Sequence, residues 1–146
     1  MKISKNNKFL GMLVFLLISS ISISGQYKDA LISRMSDFRN SVFANVDEGN
    51  DFQQKEALRK TEEEWDKELN IVYQKIMKVA DPVTKNKLRN AQRAWIKFRD
   101  SEVEKSYYTN NPNGGSMGIL FSLNTAAKLT EERAVQLAEM YDALDK

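Results

Sequence analysis

Apolar residues recur along this chain with the spacing of helix faces, and polar clusters interrupt them at a few places. Leu31, Met35, Phe38 and Val42 stand four, three and four residues apart, which predicts an amphipathic helix over about 28–45. Asp47-Glu48-Gly49-Asn50-Asp51 breaks that pattern. Leu58, Trp65, Leu69, Val72, Ile76 and Val79 form the next stripe, widened by Tyr73 and Ala80, and predict a helix over about 52–80. Asp81-Pro82 ends it, because the residue before proline is pushed away from helical angles. Leu88, Ala91, Trp95 and Phe98 mark a third helix over about 83–107. Tyr107 to Ser116, rich in Asn, Gly and Pro, reads as a loop. Ser116 is placed to cap a short helix over about 117–127, and Thr130, followed by Glu131 and Glu132, to cap a last one carrying Ala134, Leu137, Met140, Tyr141 and Leu144. Strand alternation is absent at useful length. The fold class is therefore all-α.

The tight turn at Asp81-Pro82 makes helices 52–80 and 83–107 a long antiparallel hairpin, with shorter helices flanking it. In that pairing Tyr73 falls near Gln92, Asn70 near Trp95 and Asp66 near Arg99. The aromatic residues Trp65, Tyr73, Trp95 and Phe98 share the helical period and read as core. A partly exposed Asp66–Arg99 pair would add only about 0–1 kcal/mol. A buried amide left unpaired would cost about 1–3 kcal/mol, so Asn70 and Gln92 are the better markers of a specified register.

The first residues change the charge picture. Lys2, Lys5 and Lys8 precede the apolar run from Phe9 to Ile18, and a small, Ser-rich stretch leads to Gly25. That order is a secretory signal peptide over 1–25, with cleavage expected near Gly25. The apolar run falls short of the roughly 20 residues of a membrane span. No membrane span is expected after cleavage, and the product would be periplasmic or secreted. The leader holds three of the 22 basic residues and none of the 20 acids, which leaves 19 against 20 and a net charge of −1. The basicity of the whole sequence thus belongs to the leader, and nothing favours a nucleic-acid partner.

The chain has no Cys and no His. Thiol lipidation, disulfides, the usual zinc sites and Ser-His or Cys-His nucleophile pairs are thereby excluded. No cofactor and no metal enter the reading, and no enzyme activity is expected. Glu62-Glu63-Glu64 with Asp66 and Glu68 would have to form two opposed cleft walls for glycoside hydrolysis, which neighbouring acids on one helix do not do.

Asp66-x-Glu68-Leu69-Asn70-x-x-Tyr73 is followed by Leu88-x-x-Ala91-Gln92-Arg93-Ala94-Trp95-Ile96-x-Phe98-Arg99-Asp100, then by Gly114-Gly115-Ser116 and Leu129-Thr130-x-x-Arg133-x-x-x-Leu137. At these residues the chain resembles the LprI-like family of small exported bacterial proteins, named after a lysozyme inhibitor. The resemblance covers about 54–140 and divides the chain into the leader, an N-terminal helix and linker over 26–51, and an LprI-like helical domain over 52–146. Asp66, Leu69, Asn70, Tyr73, Gln92, Trp95, Phe98, Arg99 and Asp100 are its structural motif. Many members carry Cys at two places that match Val103 and Thr125 here, and the resemblance implies that these positions are neighbours held by packing alone. It also implies a protein partner, either a lysozyme or another protein of the envelope.

The residues offer three candidate surfaces. Tyr107 and Tyr108 with Asn110, Asn111, Asn113 and Ser116 combine aromatic contact area with adaptable hydrogen bonding, a suitable loop for entering a glycan cleft. Glu63 and Glu64 offer an acidic rim toward a cationic enzyme, or an ordinary solvated face paired with Lys60 and Lys67. Gln92, Arg99 and Asp100 suit either recognition of a glycan or peptide, or register-fixing hydrogen bonds. The rival to inhibition is a non-catalytic structural or stress-related envelope protein, forming a homodimer through the apolar stripe of helix 28–45.

Overall fold

The computed structural model describes residues 25–109 and 115–145, so the expected leader lies outside the described residues except for Gly25. Four helices follow one another: α1 (Gln26–Phe43), α2 (Asp51–Val79), α3 (Pro82–Thr109) and α4 (Ser116–Leu144). No strand occurs among the described residues, and no helix there is long and apolar enough to cross a membrane.

Local chemistry sets the helix boundaries. Asn50 caps α2 by accepting from the Gln53 backbone N–H at 3.1 Å. Asp81 both ends α2 and starts α3. Its carboxylate accepts from the N–H groups of Val83 and Thr84 at 2.8 and 3.0 Å, with Pro82 in the first helical position. The Thr84 hydroxyl and these backbone bonds hold the Asp81 carboxyl below its usual pKa. The start of α1 is capped from far along the chain: Asp142, on the last turn of α4, accepts from Tyr27 N and Lys28 N, both at 2.9 Å.

The centre of the molecule is α4, which packs against α1, α2 and α3, and its contact with α2 is the most extensive in the fold. Ala134 and Ala138 expose nothing and Leu137 only 2%, and they join Leu31, Met35, Trp65, Leu69, Val72, Ile76 and Leu88 in one core. Small residues allow this close approach. A Cβ on Gly118 would lie 2.7 Å from the Tyr107 carbonyl oxygen, so the α3–α4 crossing requires glycine there. The expected pair of short C-terminal helices is a single one of 29 residues. Thr130 is not a cap: it sits in mid-helix with no exposed surface, and its hydroxyl oxygen has no side-chain partner. Ser116 is not a cap either, since Gly115 holds that position at φ +81° and Ser116 donates to Asp51 Oδ2 at 2.6 Å. Only α1, at 18 residues, is a shorter flanking helix.

The hairpin of α2 and α3 is present, but α4 fills much of the space against both, and a groove separates the two helices along one side. Arg99 reaches Asp66 across it at 3.9 Å, as expected. The expected stripe of α3 is turned by one position. Its inward residues are Leu88, Gln92, Trp95 and Arg99, whereas Ala91 is exposed and Phe98 is 52% exposed. Phe98 is therefore not core. The actual stripe contains two polar residues, so counting apolar positions selected its neighbours instead.

Two contacts fix the α3–α4 register, Gln92 with Arg133 and Tyr107 with Gly118, and the residues between them number the same on each helix. Val103 and Thr125 fall within about one turn of facing each other in that register, and both are half-buried. The apolar face of α1 is used inside the molecule: Leu31 and Met35 are buried in the common core and Phe38 packs on it. The stripe expected to carry a homodimer is thus covered within the chain, which corrects the expectation of dimerisation through this helix.

Candidate functional site

Two surfaces carry the residues singled out by sequence, and they differ in character. The first lies where α3 ends and α4 begins. The Tyr107 hydroxyl accepts from Gly115 N at 3.0 Å, and its ring lies against Gly118, so this half-buried residue braces the junction. Tyr108 stacks edge-on against it with ring centroids 4.8 Å apart, and is itself 57% exposed. Ser116 and Lys55 bond side chain to side chain, and Ser116 also bonds Asp51, which ties the start of α4 to the start of α2. Asn110, Asn111 and Asn113 lie outside the described residues. The junction thus offers a fixed base with one exposed aromatic ring.

Glu63 and Glu64 lie farther along α2. Glu63 pairs with Arg59, and Glu64 with Lys67 at 2.8 Å, while Lys60 pairs with Glu56. These are contacts one helical turn apart on an exposed face, worth about 0.2–0.5 kcal/mol each. Twelve residues separate Glu63 from Asp51, about 18 Å along the helix.

The second surface is the groove between α2 and α3, with a volume of about 370 Å³. Leu69, Tyr73, Trp95 and Ile96 give it apolar and aromatic area, and Asp66, Asn70, Arg89, Gln92, Arg93 and Arg99 its polar groups. Nearly the whole expected structural motif therefore gathers here. Asn70 Nδ2 donates to the Asp66 backbone and side-chain oxygens at 2.8 and 3.0 Å. Gln92 is buried, and its Oε1 accepts from Arg133 Nε at 2.9 Å, which joins the Ala91-Gln92-Arg93-Ala94-Trp95 block to the Leu129-Thr130-x-x-Arg133 segment. Burial lowers the Arg133 pKa from its usual value. The register bonds expected of Asn70 and Gln92 thus run to Asp66 and Arg133, and not to each other's helix.

Arg99 lies over the Trp95 ring at 5.2 Å and donates to Asp100 Oδ1 at 3.0 and 3.1 Å. Close to this group, burial first and then the Asp66 charge push the Glu62 carboxyl above its usual pKa, with Arg99 acting in the opposite direction. Arg89 and Arg93 were given no role by the sequence reading. Their signal was a pair of cations four residues apart on α3, on the side that carries Trp95 and Ile96.

Neither surface sets two carboxylates across a cleft, and no group of three or more acids suited to a metal ion occurs among the described residues. No curated protein and no solved structure matches the chain. The family model described as lysozyme inhibitor LprI matches residues 44–137, from just after α1 to the buried Leu137 of α4. This span holds both candidate surfaces and covers more than half of the sequence, so the chain belongs to the LprI lysozyme-inhibitor family.

Proposed function

We propose that the chain is an exported, non-catalytic protein-binding domain that inhibits a lysozyme by occluding its glycan cleft with the α3–α4 junction. The observation that carries this reading is the family match over residues 44–137. The geometry adds a reason to choose the junction: Tyr108 is exposed on a base fixed by Tyr107–Gly115 and by Ser116–Asp51. A rigid aromatic side chain loses little entropy on docking and commonly anchors an interface. Asn110, Asn111 and Asn113 complete the inserted segment, and Glu63 and Glu64 are assigned to its acidic rim. Each already pairs with a cation of its own helix, so their share in attracting a cationic enzyme is small. The leader supplies the export route, to the periplasm or beyond.

The test is inhibition of lysozymes of several types by the chain starting at Gln26, together with calorimetric titration. One-to-one saturable inhibition of at least one type is expected. Tyr108→Ala should weaken it about 30-fold, as for an interface anchor. Tyr107 is left intact, because its hydroxyl and ring hold the junction together. Unchanged inhibition by the Tyr108 variant removes the junction as the contact surface. Failure to inhibit any lysozyme removes the function and leaves the non-catalytic envelope protein.

A further inference from the structure

The groove between α2 and α3 is built from the family motif, yet the junction model of inhibition makes no use of it. Its charge is one-sided, with three guanidinium groups lining it against the single carboxylate of Asp66. Arg99 is held by Asp66 and Asp100. Arg89 and Arg93 are exposed, and among the described residues no acid lies within ion-pair distance of either. Exposed guanidinium groups with no acid partner are suited to binding carboxylates through two-pronged hydrogen bonds.

We propose that this groove binds an extended acidic peptide segment of a partner protein, with carboxylates at alternate positions taken by Arg89 and Arg93. Spacing supports the choice. Residues four apart on a helix rise about 6 Å, and side chains two apart on an extended strand stand about 6.6 Å apart on the same side. An extended chain running along α3 therefore brings alternate carboxylates to the two arginines.

The remaining polar capacity of the groove matches a peptide group. Asn70 uses its amide nitrogen on Asp66 and keeps its oxygen as an acceptor. Gln92 uses its oxygen on Arg133 and keeps its nitrogen as a donor. One acceptor and one donor on opposite helices complement a backbone N–H and C=O. Tyr73, on the facing helix α2, supplies apolar area for the side chain between the two acids, which projects away from α3, and Trp95 lines the wall that carries the arginines. Recognition of acidic segments by arginine clusters is an established mode of peptide binding. The inference does not depend on lysozyme inhibition, because it concerns a different surface and a ligand of its own.

The probe is a capped Gly-Glu-Ala-Glu-Gly peptide titrated into the chain starting at Gln26 and followed by the indole N–H resonances. The Trp95 signal should move saturably, while that of Trp65, buried at 4% exposure, stays in place and reports an intact fold. Arg89→Gln and Arg93→Gln should each weaken binding about tenfold. A peptide with Gln for both Glu should fail, and one with adjacent acids should bind more weakly than the alternating one. The proposal is overturned by an immobile Trp95 signal at about 10 mM peptide, a range that captures even feeble binding. Equal binding of the Gln peptide, or indifference to both arginine substitutions, overturns it as well. Tighter binding of a carboxylated oligosaccharide overturns the peptide assignment.

Discussion

At the scale of single residues, the most exposed energetic weakness is Glu68. Its side chain retains 8% accessibility, and one oxygen accepts from both Nε and Nη2 of Arg34 at 2.8 Å while Oε2 has no partner. Removing Arg34 leaves a buried carboxylate with nothing to offset its desolvation. Since the Arg34 side chain is 50% exposed, the loss should fall below that of a fully buried pair, and Arg34→Ala is expected to cost about 2–3 kcal/mol. Urea unfolding measures it directly. Glu68→Gln in the same background should recover part of the loss, because the amide carries no charge to strand. A cost under about 0.5 kcal/mol would show that water serves Glu68 as well as Arg34 does. The sequence reading gave this pair no part, since Arg34 and Glu68 lie 34 residues apart and neither disturbs a stripe. Charged residues on an inward face are recognisable only once the partner helix is in place.

At the scale of helices, α1, α2 and α3 were legible to within two or three residues, because caps and breakers stand at their ends: Asn50, Asp81 and Pro82. The unity of α4 was not legible, for a physical reason. A helix that packs on three neighbours is apolar around much of its circumference, so it lacks the one-sided stripe that periodicity detects. Thr130 with two acids after it imitates a start signal, yet it lies fully buried in mid-helix. The groove residues were half legible. The hairpin register puts Asn70 across from Trp95 and Asp66 across from Arg99, but Phe98 has the period of core and is exposed, and Arg89 and Arg93 disturb no apolar pattern. Gly118 tests the close approach of α3 and α4. Helix propensity alone favours alanine over glycine by about 1 kcal/mol. The new methyl would meet the Tyr107 carbonyl oxygen at 2.7 Å and its ring at 3.1 Å. Backbone oxygen yields poorly, so Gly118→Ala should destabilise the chain by about 1–3 kcal/mol. Thermal unfolding that shows equal or higher stability would mean the two helices separate at little cost.

At the scale of the whole molecule, the family match and the folding unit have different limits. The match begins at residue 44, and α1 ends at Phe43. Yet α1 shares the core with the matched helices: Leu31 exposes nothing, Met35 exposes 2%, and both cluster with residues of α2 and α4. Three polar links add to this packing, namely Arg34–Glu68, Lys28–Glu139 at 3.6 Å, and the capping of α1 by Asp142. Truncating one buried Leu or Met to Ala costs about 2–5 kcal/mol, so losing both side chains together approaches the 5–15 kcal/mol that holds a typical domain folded. A chain starting at residue 44 should therefore lose its cooperative unfolding transition in calorimetry, although it retains every matched residue. Adding back α1 as a separate peptide over 26–43 should restore helicity at a concentration-dependent midpoint, as expected when a partner binds only the folded form. A cooperative transition in the shortened chain, at unchanged temperature, would show that α1 rests on a domain complete without it. The covering of Trp65, Leu69, Val72 and Ile76 would then have to come from α4 alone.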